Sequence, residues 1–403
     1  MKRLSPSELR IAEAIDGGAM LARVQEWCAI NSGSGNLPGL EAMAARLADG
    51  FAVLPGELTL EAPAPVSAID AGGQERAVQC GRHLLLRVRP EATRRVLLTG
   101  HMDTVFGADH PFQTLHWLDA ETLGGPGVAD MKGGLAVMLA ALTAFETSEA
   151  APALGYDVLI NADEETGSLS SAPLIARLAQ GKIAALTYEP ASLPDGTLAG
   201  ERPGSANISL VVTGRAAHAG RNPGEGRNAL VAAAALVLGL KALERDGLTI
   251  NPARIDGGSA NNVVPDKAVL RFNARVRTME IETAFQFSLN SLIEHVASEH
   301  EVSIHRHGGT SRPPKPLDPA SLRLFHLVRD CGEALGQPIR WQPSGGVCDG
   351  NNIAACGVPV VDTLGVRGGA IHSSDEYLIV PSLAERAALS ALVLHRLALG
   401  ETP

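Results

Sequence analysis

The feature that most constrains this chain is a recurring pattern of short apolar runs, each breaking off at a cluster of acids, histidine and glycine. Residues 96–99 run into His101 and Asp103, and residues 158–160 run into Asp163, Glu164 and Glu165. IAALTYEP places Glu189 at the end of a third run, and VPVVDTLG leads through a glycine-rich loop to His372. Short β-branched runs separated by helical stretches read as strands of a mostly parallel sheet covered on both faces. Residues 131–146 fit one covering helix, with Leu135, Met138, Leu139, Leu142 and Phe145 on one stripe. In such α/β sheets ligands bind beyond the carboxyl ends of the strands, where these polar clusters fall.

From about residue 204 to 312 the pattern changes. Residues 207–213 read as a strand, 228–245 as an alanine- and leucine-rich helix, and 248–255 and 267–278 as strands. A helix over 281–298 and a short alternating strand over 301–307 complete the set. The order β-α-β-β-α-β is that of a ferredoxin-like sandwich. Within it Leu270, Phe272, Ala274 and Val276 alternate with Arg271, Asn273, Arg275 and Arg277, giving one apolar and one cationic face. The chain has 403 residues, more than the roughly 250–300 of a single core. An α/β domain formed by 1–203 and 314–403, split around an inserted α+β domain of 204–313, accounts for the length and for the change of pattern.

Composition closes off several function classes. Hydrophobic residues make up 45% and charged residues 19%, which excludes disorder as the main state. A net charge of −10 without a basic block argues against nucleic acid as a partner. The five cysteines, Cys28, Cys80, Cys331, Cys348 and Cys356, form no CxxC pair, so neither a disulfide framework nor a zinc ribbon is expected. The opening segment has two basic residues but no apolar core of a signal sequence, and no apolar run approaches the ~20 residues of a membrane span. A soluble, cytoplasmic protein is the expectation. In HEVSIH the second histidine, His305, comes one residue too late for HExxH, and the segment alternates like a strand. No GxSxG is present, so a serine-hydrolase elbow is unsupported.

His101, Asp103, Asp130, Glu164, Glu165, Glu189 and His372 each follow a predicted strand or sit in a glycine-rich loop beside one. One carboxylate so placed is ordinarily a helix cap or a loop residue. Capping does not explain several mixed acid and histidine clusters at the ends of successive strands. Two histidines with three or four carboxylates are the ligand set of a borderline dication such as zinc. In HMD, extended chain puts His101 and Asp103 on one face, so the histidine can bind metal while the aspartate orients it. In DEE, extended chain points Glu164 and Glu165 in opposite directions. One can then bind a metal while the other faces an attacking water, as metal-assisted hydrolysis requires.

Taken in order, HMDTV, GVADMKGG, NADEETGS, TYEP, GRAAHAG, NNVVPD and GGAIHSSDE resemble the M20 metallopeptidases over nearly the whole chain. Glu189 at the third acidic position resembles the carboxypeptidase G2 (glutamate carboxypeptidase) type. The resemblance implies a phosphorylase/hydrolase-like zinc-peptidase catalytic domain with a ferredoxin-like lid and dimerisation domain. It implies two Zn2+, with Co2+ or Mn2+ as substitutes: His101, Asp130 and Glu189 on one, Asp130, Glu165 and His372 on the other, Asp130 bridging. Glu164 is then the general base, Asp103 orients the site through His101, and the Asp130–Met131 peptide is cis. His218 matches a histidine that reaches into the partner subunit's site of a homodimer and stabilises the oxyanion. Asn262 matches a substrate contact, Arg275 the lid arginine, and Arg312 the arginine that grips a C-terminal carboxylate with two parallel hydrogen bonds. The implied activity is release of a C-terminal amino acid, glutamate the first candidate, from short peptides or N-acyl amino acids. An N-acyl amino acid deacylase of the aminoacylase or acetylornithine deacetylase kind is the alternative, and a non-catalytic M20-like binding protein the second.

Overall fold

The computed structural model describes residues 4–402; Lys2 and Arg3, the two basic residues of the opening segment, lie outside it. Two compact units divide the chain. The first runs to Ala64 and takes in Gln79–Glu201 and the chain from Pro316 onward; the second is Pro65–Val78 with Arg202–Lys315.

In the first unit, β1 (Glu57–Glu61), β2 (His83–Val88), β3 (Arg95–His101), β4 (Gly155–Asn161), β5 (Ala184–Thr187) and the short strand Val360–Val361 form a six-stranded sheet. The order is β1-β2-β4-β3-β5 with Val360–Val361 at the far edge. From β4 to that edge the strands are parallel, while β1 and β2 are antiparallel. All of β4 is buried, as its unbroken apolar run requires of a strand covered on both faces. Leu84, Leu86, Leu98 and Val158 pack on one side with helix α1 (Gly134–Glu146) and with Ser382–Ala398. Leu85, Leu97 and Leu159 pack on the other with helix α2 (Ala172–Ala179).

The helix expected from residue 131 opens instead with a wide turn, Val128–Gly133, in which Asp130 and Met131 are non-helical and their peptide bond is cis. Together Val128–Glu146 spans 19 residues and is apolar enough, by length and composition, to cross a membrane. That corrects the expectation that no run approaches such a length. Its most apolar window is 89% buried inside the fold, so it is the sheet's covering helix.

The second unit runs β6 (Gly204–Thr213), α3 (Ala229–Ala242), β7 (Leu248–Gly257), β8 (Lys267–Val276), α4 (Met279–Glu299) and β9 (Ser303–Arg312). Its antiparallel sheet has the order β7-β8-β6-β9, the ferredoxin-like arrangement. Leu270, Phe272, Ala274 and Val276 are buried with Leu236, Leu240, Phe285 and Leu289. Two departures from the sequence reading have visible causes. Strand β9 continues five residues past 307, because Gly308 and Gly309 interrupt the alternation without breaking the ladder to β6. The hairpin Val66–Ile69 with Glu75–Val78 belongs to this unit, although residues 65–78 fall in the segment expected to be catalytic. Arg271 holds it by donating to the carbonyls of Ile69 (2.9 Å) and Asp70 (2.8 Å), and Ile69 packs with Val211 and Val269.

Candidate active site

Parallel register brings the polar clusters of the first unit level with one another. His101 ends β3 opposite Asn161, the last residue of β4, and Thr99 lies opposite Thr187, two residues before Glu189. The backbone that delivers Glu189 is held between two glycines. A Cβ on Gly134 would lie 2.0 Å from the Tyr188 carbonyl oxygen, and one on Gly365 would lie 2.6 Å from that of Glu189. Only glycine permits so close a backbone approach.

Buried Asp130 divides its carboxylate between two histidines. Oδ1 is 3.1 Å from His101 Nε2, and Oδ2 is 3.3 Å from His372 Nε2. Glu189 Oε2 stands 3.7 Å from the first imidazole and Glu165 Oε2 stands 3.2 Å from the second. The donor atoms of His101, Asp130 and Glu165 lie within 4.8 Å of one another, as do those of His101, Glu164 and Glu189. His372 arrives on a loop in which both it and Ala370 have positive φ, 62° and 51°. Left-handed backbone at non-glycine residues costs of order 1–3 kcal/mol and persists where the surroundings over-determine it.

Asp103, fully buried, serves both halves of the cluster. His101 Nδ1 is 3.0 Å from its carbonyl oxygen and 3.4 Å from its carboxylate. The carboxylate also accepts from Ser34 Oγ (2.8 Å) and from the backbone N–H groups of Glu164 (3.1 Å) and Glu165 (3.2 Å). Those two bonds help curl the chain into a short 3₁₀ turn, Glu164–Thr166, where the sequence reading assumed extended backbone. Asp163 secures the same turn by accepting from Ser170 and Ser171. Glu164 and Glu165 still fall in different donor groups, but the turn separates them and strand alternation does not.

The electrostatics suit a cation. Burial would raise the Asp130 pKa, yet its hydrogen bonds to His101 and His372 hold it below the usual carboxylate range. The same bonds from Asp130 and Glu165 push His372 up to about 10. His101 is raised well above its ordinary value: burial alone would lower it, and the charge of Glu189 with the surrounding carboxylate bonds outweighs burial. Burial, then the charge of Asp130, pushes Glu165 up to about 7. Protonated imidazoles thus balance carboxylates that repel one another, and bound dications would take over that task as the imidazoles lose their protons.

Glu376 went unnoticed as a functional residue although it lies in GGAIHSSDE. It is 1% exposed; Oε1 accepts from the N–H groups of Ala129 (2.9 Å) and Asp130 (3.0 Å), and Oε2 from that of Gly127 (3.2 Å). The carboxylate therefore holds the turn that presents Asp130. Its acceptor role spans 246 residues of chain, which no local spacing discloses. Replacing Glu376 by Gln puts an amide NH2 against backbone donors, and metal affinity is expected to fall about 10–100-fold. Competition titration against a chromophoric chelator checks this; wild-type affinity in the variant would remove Glu376 from the support of the site.

Other sequence candidates lie in the second unit. His218 is exposed, and its Nδ1 accepts from the N–H groups of Gly220 and Arg221, both at 3.1 Å, so its hydrogen sits on Nε2. The loop of Asn262 runs beside it: Ala219 N–H donates to the Asn262 carbonyl at 2.9 Å. Arg275 and Arg312 both pair with Ser205, one from each side, and so share a face of the sheet. Arg312 is 2% exposed; Arg275 donates from Nε to Asn273 Oδ1 at 3.0 Å, while its Nη1 is buried without a partner. Arg271 and Arg277 are structural, paired with Asp256 and Asp246. His305 and His307 lie on the edge strand β9.

A profile of peptidase family M20/M25/M40 matches residues 97–396. Carboxypeptidase G2 from a Pseudomonas species is 30% identical over 334 residues, covering 80% of this chain and 78% of that protein. A succinyl-diaminopimelate desuccinylase from Xanthomonas oryzae pv. oryzae is 28% identical over 322 residues, 75% of this chain and 83% of that one. The crystal structure of a tripeptidase from Staphylococcus aureus superposes with a TM-score of 0.73 at 23% identity, covering 96% of this chain and 99% of the other.

Proposed function

Because the chain belongs to peptidase family M20/M25/M40, we propose that it is a two-zinc carboxypeptidase releasing a C-terminal amino acid from short peptides or N-acyl amino acids. A hydrolase of the peptidase and amidohydrolase kind follows from the family. The observation that best supports the two-metal part of this reading is the divided carboxylate of Asp130, each oxygen facing a different imidazole. Two imidazoles and three carboxylates without a thiolate suit zinc, with cobalt or manganese as substitutes. His101, Asp130 and Glu189 would hold one ion, and Asp130, Glu165 and His372 the other. When bound, the ions supply Lewis acidity to the scissile carbonyl and lower the pKa of a water.

Glu164 is the proposed base, accepting a proton from that water and returning it to the leaving nitrogen. Its side chain shares a donor group with His101 and Glu189, while Asp103 holds its backbone. Donation from His101 Nδ1 to the Asp103 carbonyl leaves Nε2 as the lone-pair nitrogen on the Asp130 side. His218, carrying its hydrogen on Nε2, is the proposed oxyanion donor, acting in the partner subunit's site of a homodimer. Asn262 and Arg275 are proposed substrate contacts, and Arg312 the group that receives the α-carboxylate.

Similarity to carboxypeptidase G2 favours the carboxypeptidase; similarity to the desuccinylase supports the deacylase alternative. Arg312→Ala separates carboxylate recognition from catalysis. KM for substrates with a free α-carboxylate is expected to rise roughly 10–100-fold, the worth of one or two charge-assisted hydrogen bonds, with kcat little changed. Paired assays on free and amidated substrates decide it. Equal losses on both would sink the role given to Arg312.

A further inference from the structure

Far from the clustered histidines, at the start of the parallel strands, the first unit carries a second polar site. On the sheet face covered by α2, Leu85, Leu97 and Leu159 pack with Leu174 and Leu178. One step toward the beginning of β3 and β4, the same face presents Arg87, Asp157 and Arg95 in place of leucines. Lys182 joins them from the turn between α2 and β5. Asp157 is completely buried and sits 2.7 Å from Lys182 Nζ, 2.9 Å from Arg95 Nη2 and 3.7 Å from Arg87 Nε. A cavity of about 410 Å³ opens beside this group, with Glu57, Glu61 and Arg177 also in its wall.

The charges there do not balance. Three cations converge on the Asp157 carboxylate and Arg177 pairs with Glu61 at 3.5 Å, so with Glu57 the wall holds four cations against three carboxylates, one positive charge in excess. Burial and the charges of Arg95 and Arg87 together hold the Lys182 pKa below its ordinary value, although its bond to Asp157 opposes them. Arg95 Nε is buried with no hydrogen-bond partner. A surplus of guanidinium and ammonium donors beside a cavity is the chemistry that receives a tetrahedral oxyanion, guanidinium by its fork of donors and ammonium as a point charge.

We propose that this cavity binds a phosphate group, free or as the monoester of a small molecule, through Arg87, Arg95 and Lys182, with Arg177 as a further contact. The bound dianion relieves the repulsion among the cations and leaves the buried pairing of Asp157 intact. Six residue steps along β3 take the chain from Arg95 to His101, about 20 Å of extended strand. The anion therefore acts on stability or regulation and takes no part in the hydrolysis, and the site stands independently of the proposed reaction.

The test uses zinc-loaded protein and two exposed positions that leave the Asp157–Lys182 pair in place. Inorganic phosphate, and separately glycerol 3-phosphate, is titrated by calorimetry at 25 °C, with thermal unfolding followed against sodium chloride of equal ionic strength. Wild type is expected to bind one equivalent and to gain Tm beyond the chloride control, since a ligand held only by the native state stabilises it. In Arg87→Ala/Arg177→Ala the affinity is expected to fall at least about tenfold, the worth of one charge-assisted hydrogen bond, whereas Arg329→Ala, a surface control, keeps it. Phosphate that binds at the metal centre would affect all three proteins alike. That uniform response, or no binding by wild type, overturns the proposal. Tighter binding of glycerol 3-phosphate than of phosphate assigns the monoester; equal binding assigns the free anion.

Discussion

Glu164→Gln is expected to lower kcat by about 10²–10⁴-fold, the usual contribution of a general base, with KM and metal content near wild type. The substitution is well isolated. The Glu164 backbone is tied to Asp103 Oδ1 at 3.1 Å whatever side chain it carries, so the turn stays in place. Glutamine keeps the shape but loses the negative charge and the capacity to accept a proton. The competing possibility comes from the same geometry, because Glu164 lies within ligand distance of His101 and Glu189. Were it a metal ligand, the first loss would be one equivalent of zinc, before any change in the rate per loaded molecule. Metal analysis beside turnover on a panel of dipeptides and N-acyl amino acids distinguishes the two. Should wild type and variant both bind two metals and both be inert across the panel, the non-catalytic binding reading replaces the enzyme.

Much of this arrangement is legible in the sequence because its signals are local. An apolar run that stops at His101, or at residues 163–165, marks a buried strand and the place where its ligand-facing end lies. The alternation around Arg275 separates the two faces of β8, and the β-α-β-β-α-β order is read from periodicities no longer than one element. The roles proposed for Asp130, Glu189 and His218, by contrast, rest on resemblance, since spacing alone assigns none of them. What the sequence hides depends on contacts across long stretches of chain. Arg271 recruits the hairpin through carbonyls about 200 residues away, and Glu376 reaches the Asp130 turn over a greater distance. The turn at Glu164 is concealed for the same reason: the carboxylate of Asp103, 61 residues earlier, helps curl a segment that by itself reads as extended.

Asp130→Asn is expected to cost more than any other single change in the cluster, because among the described residues Asp130 alone turns one oxygen to each histidine. An asparagine retains one carbonyl oxygen and sets an NH2 group against an imidazole nitrogen, so one half of the site loses its acceptor whichever way the amide turns. It also removes a negative charge that two dications would share. Zinc is expected to fall from two tightly held equivalents to at most one, and kcat/KM by at least about 10³-fold, equivalent to about 4 kcal/mol of transition-state stabilisation. His372→Ala is the informative comparison. It removes a donor from the Glu165 side and leaves the His101–Glu189 side untouched, so one equivalent should remain at wild-type affinity. In Asp130→Asn the remaining equivalent should be weakened as well, because Asp130 turns one oxygen to each half and would ligate in both. Metal stoichiometry and affinity on folded protein, verified by circular dichroism, separate the outcomes. Two equivalents held at wild-type affinity in Asp130→Asn would mean that Asp130 does not bridge, and the two-metal reading would fall with it.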